Sequence, residues 1–193
     1  MSIDEYLAFE AASAARHEYI DGDIFAMSGA SVRHSQIAMN IAGRAWNVAR
    51  GGPCRVHRGE VKLRVGRIFY YPDVMAACGP RSGESYIEDA PCLLVEVLSP
   101  STESIDRREK LMVYKGIASL HAYLIVDQDR RLVEHYWRDP DGWRHAAFEE
   151  QGDLGLPCPS SFTVTLDEIY EGVELPPLEE VLRVREEAEA IYR

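Results

Sequence analysis

The chain has 193 residues, 46% hydrophobic and 27% charged, with a formal net charge of −11, figures ordinary for a globular protein with a sizeable core. No window approaches the roughly 18 continuous apolar residues of a membrane helix, and the acidic start Met1-Ser2-Ile3-Asp4-Glu5 lacks the positive charge of a secretion signal, so a single cytoplasmic domain over 1–193 is expected. The acidity excludes a general nucleic-acid coat, yet nine acids against three arginines lie from Asp167 onward, and 18 of the 21 basic residues are arginines, the better phosphate fork, so a locally basic cleft stays open.

In chain order, Ser2-Ile3-Asp4-Glu5 has the capping-box pattern and predicts a helix to about Ala15. Residues 18–25 read as a hairpin turning on Asp21-Gly22. Ser31 caps a second helix to about Arg50, with Ile37, Ile41, Ala45 and Val48 at helical spacing, and Gly51-Gly52-Pro53 ends it. Residues 60–65 alternate, which places Val61, Leu63 and Val65 on a core and Lys62 and Arg64 outward. The segments 68–78 and 91–99 read as strands, the second apolar enough to be buried on both faces, with a polar loop from Gly79 to Asp89 between them.

Asp106-Arg107-Arg108-Glu109 repeats the capping-box pattern and opens a helix through Lys115 that Gly116 stops. Residues 120–127 form a following strand, so 91–127 is a βαβ unit with parallel strands. Residues 131–137 and 143–148 form a hairpin across Asp139-Pro140-Asp141-Gly142, and an acidic helix closes the chain at about 178–193. The cysteines at 54, 78, 92 and 158 are irregularly spaced without a CxxC, and Cys54-Arg55-Val56-His57 has no second pair to complete a zinc site, which predicts reduced structural thiols.

Two carboxylates stand where folding alone would not put them. Asp73 opens a short apolar segment after Tyr71-Pro72, and Glu96 interrupts the run 92–98. A glutamate inside so apolar a strand is buried, at a cost of several kcal/mol when unpaired. Of only three lysines, Lys62 lies on an alternating strand's polar face and Lys115 at a helix C-terminus, whereas Lys110 follows the Glu96 strand closely enough to reach back to its end. Two acids and a lysine on neighbouring elements suit a magnesium site for cutting a phosphodiester. Taken singly, Pro-Asp is usually a turn, Glu96 could pair with an arginine, and Lys110 could be a solvated helix residue. Arg107-Arg108 reads more often as a solvated helix start than as a phosphate clamp. His17, His57, His121, His135 and His145 show no partner spacing.

The strings Tyr19-Ile20-Asp21-Gly22, Tyr71-Pro72-Asp73-Val74, Val95-Glu96-Val97-Leu98-Ser99-Pro100-Ser101-Thr102, Asp106-Arg107, Lys110-Leu111, Tyr114 and Tyr123-Leu124-Ile125-Val126-Asp127 closely resemble the Uma-type restriction endonuclease family, a branch of the PD-(D/E)xK nuclease superfamily. The likeness runs from about Arg16 to Glu171. It implies an α/β (α+β) fold, a restriction-endonuclease-like core with a mixed β-sheet flanked by helices. It also implies that Asp73 and Glu96 are the two acidic positions of the motif. The motif's lysine is absent at 98, where this chain has leucine, and Lys110 stands as its migrated replacement.

On that reading Asp73, Glu96 and the backbone carbonyl of Val97 ligate Mg²⁺ or Mn²⁺. Lys110 orients the attacking water, and Tyr114, one turn on, positions groups beside it. Glu18 is a further acid that could approach the metal or its waters. His34 is a candidate general base or phosphate contact. The implied activity is endonucleolytic hydrolysis of DNA by a cytoplasmic homodimer. The alternatives are a catalytically silent nucleic-acid-binding or assembly module of the same fold, and an interaction protein whose Glu96 merely pairs with an arginine.

Overall fold

The structure is a computed structural model and describes residues 1–80, 83, 86–99, 106–177, 179–181 and 183. Helix α1 (Ile3–Ala12) opens on the expected capping box, Ser2 Oγ accepting from Glu5 N–H at 3.3 Å and Glu5 accepting from Ser2 N–H at 2.7 Å. It stops three residues short of Ala15, where Ser13 turns extended. Strands β1 (His17–Ile20) and β2 (Asp23–Ala26) form the hairpin, with Asp21 and Gly22 at φ 51° and 123°, the positive values that a two-residue primed turn needs. Helix α2 (Val32–Ala49) starts on Ser31 and buries Ile37, Ile41 and Ala45. Val48 does not join that face: it is 38% exposed, and Ala49 is buried instead.

Strands β3 (Arg55–Arg58), β4 (Lys62–Val65), β5 (Ile68–Tyr70) and β6 (Val74–Ala77) follow. The single strand expected over 68–78 is thus two. Pro72 has no N–H for a ladder, and at Tyr71-Pro72-Asp73 the chain crosses from one sheet to another. A short β7 (Ile87–Glu88) falls inside the expected polar loop, and β8 (Leu93–Leu98) is buried at every position. A π-helical turn, Asp106–Lys110, leads into α3 (Leu111–Lys115) in place of one capped helix. Glu109, the acid of the expected capping box, instead accepts from the Tyr70 hydroxyl at 2.8 Å.

The chain continues through β9 (Ala122–Asp127), β10 (Leu132–Asp139), β11 (Gly142–Glu149), β12 (Asp153–Leu156), β13 (Phe162–Thr165) and α4 (Leu166–Ile169). Residues 100–102 of the expected turn after β8, and the acidic helix expected at 178–193 apart from helical 179–181 and 183, lie outside the described residues.

A six-stranded mixed sheet runs β11-β10-β9-β8-β6-β3, with β8 and β9 parallel as the βαβ reading requires. A five-stranded sheet runs β2-β1-β5-β4-β7, and β12 pairs with β13. The alternation of β8 sorts its side chains. Leu93, Val95 and Val97 pack with Ile37, Ala38 and Ile41 of α2. Leu94 and Leu98 pack on the other face with Tyr114 of α3 and with Leu63 and Tyr70 of the second sheet. Each fully buried aliphatic side chain contributes about 1.5–3 kcal/mol, so β8 is anchored from both sides. Among the described residues no helix is long and apolar enough to cross a membrane. The cysteines depart from expectation: Cys54 is bonded to Cys78 and Cys92 to Cys158.

His135, on β10 between Leu124 and Ala146, is 4% exposed, and its Nε2 is buried without a hydrogen-bond partner among the described residues. Burial first, and the neighbouring His145 second, push its pKa from the ordinary 6.5 down to about 4. Between those values the unfolded chain binds a proton that the folded chain refuses, so stability falls as the pH drops through this window. His135→Phe is therefore expected to lose less melting temperature than wild type between pH 6.5 and about 4. Parallel melting curves for the two proteins across that range would show that His135 does not carry the effect.

Candidate active site

Strands β6 and β8 pair antiparallel, Val74 opposite Val95 and Met75 opposite Leu94. One step further along this register, Asp73 stands opposite Glu96. Glu96 shares the strand face of Leu94 and Leu98, looks toward α3, and is 3% exposed. The sequence carries the physical reason for its partner: a carboxylate so deep needs a charge and hydrogen bonds to offset several kcal/mol of lost hydration.

Lys110 supplies the charge. Its Nζ donates to Glu96 Oε1 at 3.2 Å and lies 3.0 Å from Glu18 Oε1 and 5.2 Å from the centre of the Tyr70 ring. With a side chain 6% exposed it is no solvated helix residue, and the cation meeting Glu96 is a lysine rather than an arginine. Tyr114 OH donates to the same Glu96 oxygen at 2.7 Å. Burial first, then the Glu96 charge, raises the Tyr114 pKa well above its usual value, so the phenol stays a donor. Glu18 also accepts from Tyr71 N–H at 3.4 Å, which ties the β1 strand to the segment carrying Asp73.

Asp73 is held from two directions at one oxygen. Val97 N–H donates to Oδ2 at 2.7 Å, and His34 Nε2 lies 3.1 Å from it. Against a carboxylate His34 Nε2 must carry the hydrogen, so in neutral histidine Nδ1 keeps the lone pair. That Nδ1 is buried and has no hydrogen-bond partner among the described residues. Val97 enters through its N–H. An extended residue directs its N–H and C=O to the same neighbour, so the Val97 carbonyl also faces the β6 side. Continuing the register puts Pro72 opposite, which has no N–H to offer. Carboxylate and carbonyl oxygens of Asp73, Glu96 and Val97 form the hard donor set that suits Mg²⁺ or Mn²⁺.

Other groups gather here without a sequence signal. Glu10, 7% exposed, accepts from Tyr71 OH at 2.6 Å and pairs with His17 Nδ1 at 3.0 Å. The Tyr71 ring carries Lys62 Nζ at 5.4 Å and the Arg16 guanidinium at 5.9 Å from its centre. Gly59 N–H donates to Pro72 O at 3.1 Å, bringing the β3 end, with Arg58, against the Asp73 turn. Spacing could not reveal this cationic rim, because Arg16, Arg58 and Lys62 come from three separate segments. Elsewhere, Arg107 is tied to Glu134 and Arg108 is exposed. Lys115 sits over the Tyr136 ring at 4.8 Å. His57 lies 3.7 Å from Glu88 despite showing no partner spacing.

Residues 3–167 match the family model Uma2, described as "putative restriction endonuclease". The uncharacterized protein slr1290 of Synechocystis sp. is 34% identical over 177 residues, covering 90% of this chain and 93% of that protein. A second Synechocystis protein, the uncharacterized sll1609, is 29% identical over 142 residues, covering 71% and 80% respectively. The crystal structure of "a putative nuclease belonging to DUF820" from Anabaena variabilis superposes with a TM-score of 0.73 at 20% identity, over 90% of this chain and 99% of that one, which shows a shared fold. With two directly opposed carboxylates beside a buried lysine, on a mixed sheet flanked by helices, the chain belongs to the Uma2 restriction endonuclease family and has a nuclease-like fold.

Proposed function

We propose that the chain is a metal-dependent endonuclease that hydrolyses DNA phosphodiester bonds, with Asp73, Glu96 and Lys110 as its catalytic set and a homodimer as its working form. The observation that carries the reading is the Lys110 ammonium held between Glu96 and Glu18, with Glu96 directly across the sheet from Asp73. At the inner end of the site Glu96 and Glu18 flank Lys110, with Asp73 opposite Glu96, and the donor oxygens of these acids are hard. Asp73, Glu96 and the Val97 carbonyl would hold Mg²⁺ or Mn²⁺, which supplies a more acidic water and stabilisation of charge on the phosphate.

The chain's own groups do the rest. Lys110, anchored between Glu96 and Glu18, would orient the attacking water and meet charge on the phosphoryl oxygens through its ammonium charge. Tyr114, held protonated, fixes the Glu96 oxygen and so the position of Lys110. His34, with Nε2–H directed at Asp73, presents Nδ1 as a proton acceptor, which becomes a donor to phosphate only once it has taken that proton. Arg16 and Lys62, over the Tyr71 ring, and Arg58, whose guanidinium donates to Ser35 O at 3.3 Å, would grip the flanking backbone phosphates. One observation favours a second reading, a catalytically silent nucleic-acid-binding or assembly module: Lys110 and Tyr114 both spend hydrogen bonds on a single oxygen of Glu96.

Plasmid and single-stranded DNA incubated with Mg²⁺ or Mn²⁺ separate the two readings. Wild type is expected to cut, and Asp73→Ala and Glu96→Ala, compared where circular dichroism shows each variant folded, to lose on the order of 100-fold or more in rate. No cleavage by wild type on either substrate supports the silent module, and cutting that survives in both variants places the chemistry elsewhere.

The charge pairing makes a separate prediction about stability. Lys110→Met strands Glu96 without its cation and is expected to cost about 3–5 kcal/mol in urea unfolding. Adding Glu96→Gln to that variant removes the stranded charge and should restore most of the loss. A Lys110→Met protein as stable as wild type would mean that the pair contributes little to the fold.

A further inference from the structure

The chain's four cysteines come from segments up to 104 positions apart, yet the sulfurs of Cys78, Cys92 and Cys158 lie within 4.8 Å of one another, and Cys54 is bonded to Cys78. The strand register accounts for three of them. Arg55 pairs with Ala77, so Cys54 and Cys78 face each other one step beyond the ends of β3 and β6, their Cα atoms 3.9 Å apart. Ala76 pairs with Leu93, so Cys92 begins the third strand beside them. Cys92 lies in the bend before β8 and escapes the strand's alternation, joining the same core as its neighbour Leu93. The fourth, Cys158, follows β12 and is 3% exposed. Across the two bonded pairs, Cys78 Sγ lies 3.5 Å from Cys92 Sγ and 3.9 Å from Cys158 Sγ. The Pro159 carbonyl lies 3.0 Å from Cys54 Sγ and 3.4 Å from Cys78 Sγ. Arg55 braces the same corner, donating to Gly79 O at 3.0 Å and to Glu88 at 2.9 Å.

We propose that in the reduced protein these four cysteines form a tetrathiolate site for one zinc-class ion. A tetrahedral ion bound at about 2.3 Å by four sulfurs sets them ~3.8 Å from one another, which the 3.5 and 3.9 Å separations of Cys78 from Cys92 and Cys158 already match, and Cys54 turns in as the fourth ligand once its bond to Cys78 opens. Soft thiolates select zinc over the hard cations suited to the carboxylate site, and four protein ligands leave no open position, as in a structural site. The bonded state converts in a balanced way. Two dithiol reductants deliver four electrons and four protons, opening both disulfides to four thiols. Metal binding then forms four metal–sulfur bonds and releases those four protons. The site is distinct from the proposed catalytic one: Asp73 precedes β6 and Cys78 follows it, about 16 Å away along an extended strand.

The test uses the full chain, reduced with a phosphine, stripped with chelator and titrated with Zn²⁺ or Co²⁺. Wild type is expected to retain one zinc per chain after gel filtration, and its cobalt form to show intense thiolate-to-metal charge transfer. Asp73→Ala/Glu96→Ala should keep both properties, which separates this site from the carboxylates. Cys54→Ser and Cys78→Ala should bind at least tenfold more weakly. If either variant misfolds by circular dichroism, the wild-type cobalt spectrum still decides. Reduced wild type that holds no zinc, cobalt that binds without thiolate charge transfer, or disulfides that resist the phosphine in the folded protein would each overturn the proposal.

Discussion

The arrangement of this molecule depends on one buried contact, the Lys110 ammonium between Glu96 and Glu18. Three elements distant in sequence meet there: the β1 hairpin through Glu18, the central strand through Glu96, and the turn before α3 through Lys110. A buried carboxylate without that cation would cost several kcal/mol, comparable to a large part of a domain's net stability. The contact therefore acts as a constraint on docking. The five-stranded sheet, the six-stranded sheet and α3 must approach in the one geometry that lets a single nitrogen reach both acids. Tyr114 adds a second donor from the next turn of the same helix, so the helix cannot rotate without losing both bonds to Glu96.

Pro72 is the second constraint. A residue without N–H cannot extend a ladder, and the chain uses the break to pass from β5 in one sheet to β6 in the other. The residue immediately after the break is Asp73. It is therefore placed at a strand end, where its side chain rather than a backbone carbonyl receives the Val97 N–H. The same break leaves the Val97 carbonyl facing a proline. One residue type at one position thus turns a regular strand edge into a cluster of oxygen donors.

The strongest periodic signals in the sequence were legible. The apolar run around Glu96, the alternating residues 60–65 and the Asp21-Gly22 turn all appear where pattern and turn chemistry place them. Asp73, Glu96 and Lys110 stood out only as a set, since each taken singly reads as a turn, an ion pair or a solvated helix residue, and Glu18, His34 and Tyr114 entered as neighbours of that set. What could not be read were partners fixed by sheet order. Glu10 and Tyr71 meet across 61 positions, and nothing in either local pattern announces it. The cysteines mislead for the same reason: a CxxC search looks along one turn, whereas Cys54, Cys78 and Cys92 lie at the ends of adjacent strands and Cys158 comes in after β12 of another sheet. Val48 fails on a finer point, since one position of helical phase separates an exposed valine from a buried Ala49.

Strand β6 is only four residues long, yet it carries Asp73 at one end and Cys78 at the other. A slip of one residue in its pairing with β8 would take Asp73 out of register with Glu96 and with the Val97 N–H. Four residues of backbone pairing give limited protection against such a slip. Side-chain volume helps little, because Ala76 and Ala77 are small. The sulfur cluster acts where the pairing is weakest, since Cys54 and Cys78 fix β3 against β6 while Cys92 and Cys158 hold the start of β8 in the same corner. With Cys78 bonded to Cys54 and in contact with the sulfurs of Cys92 and Cys158, the corner permits one register of the three strands. The chemistry at one end of β6 thereby sets the opposition of the two carboxylates at the other.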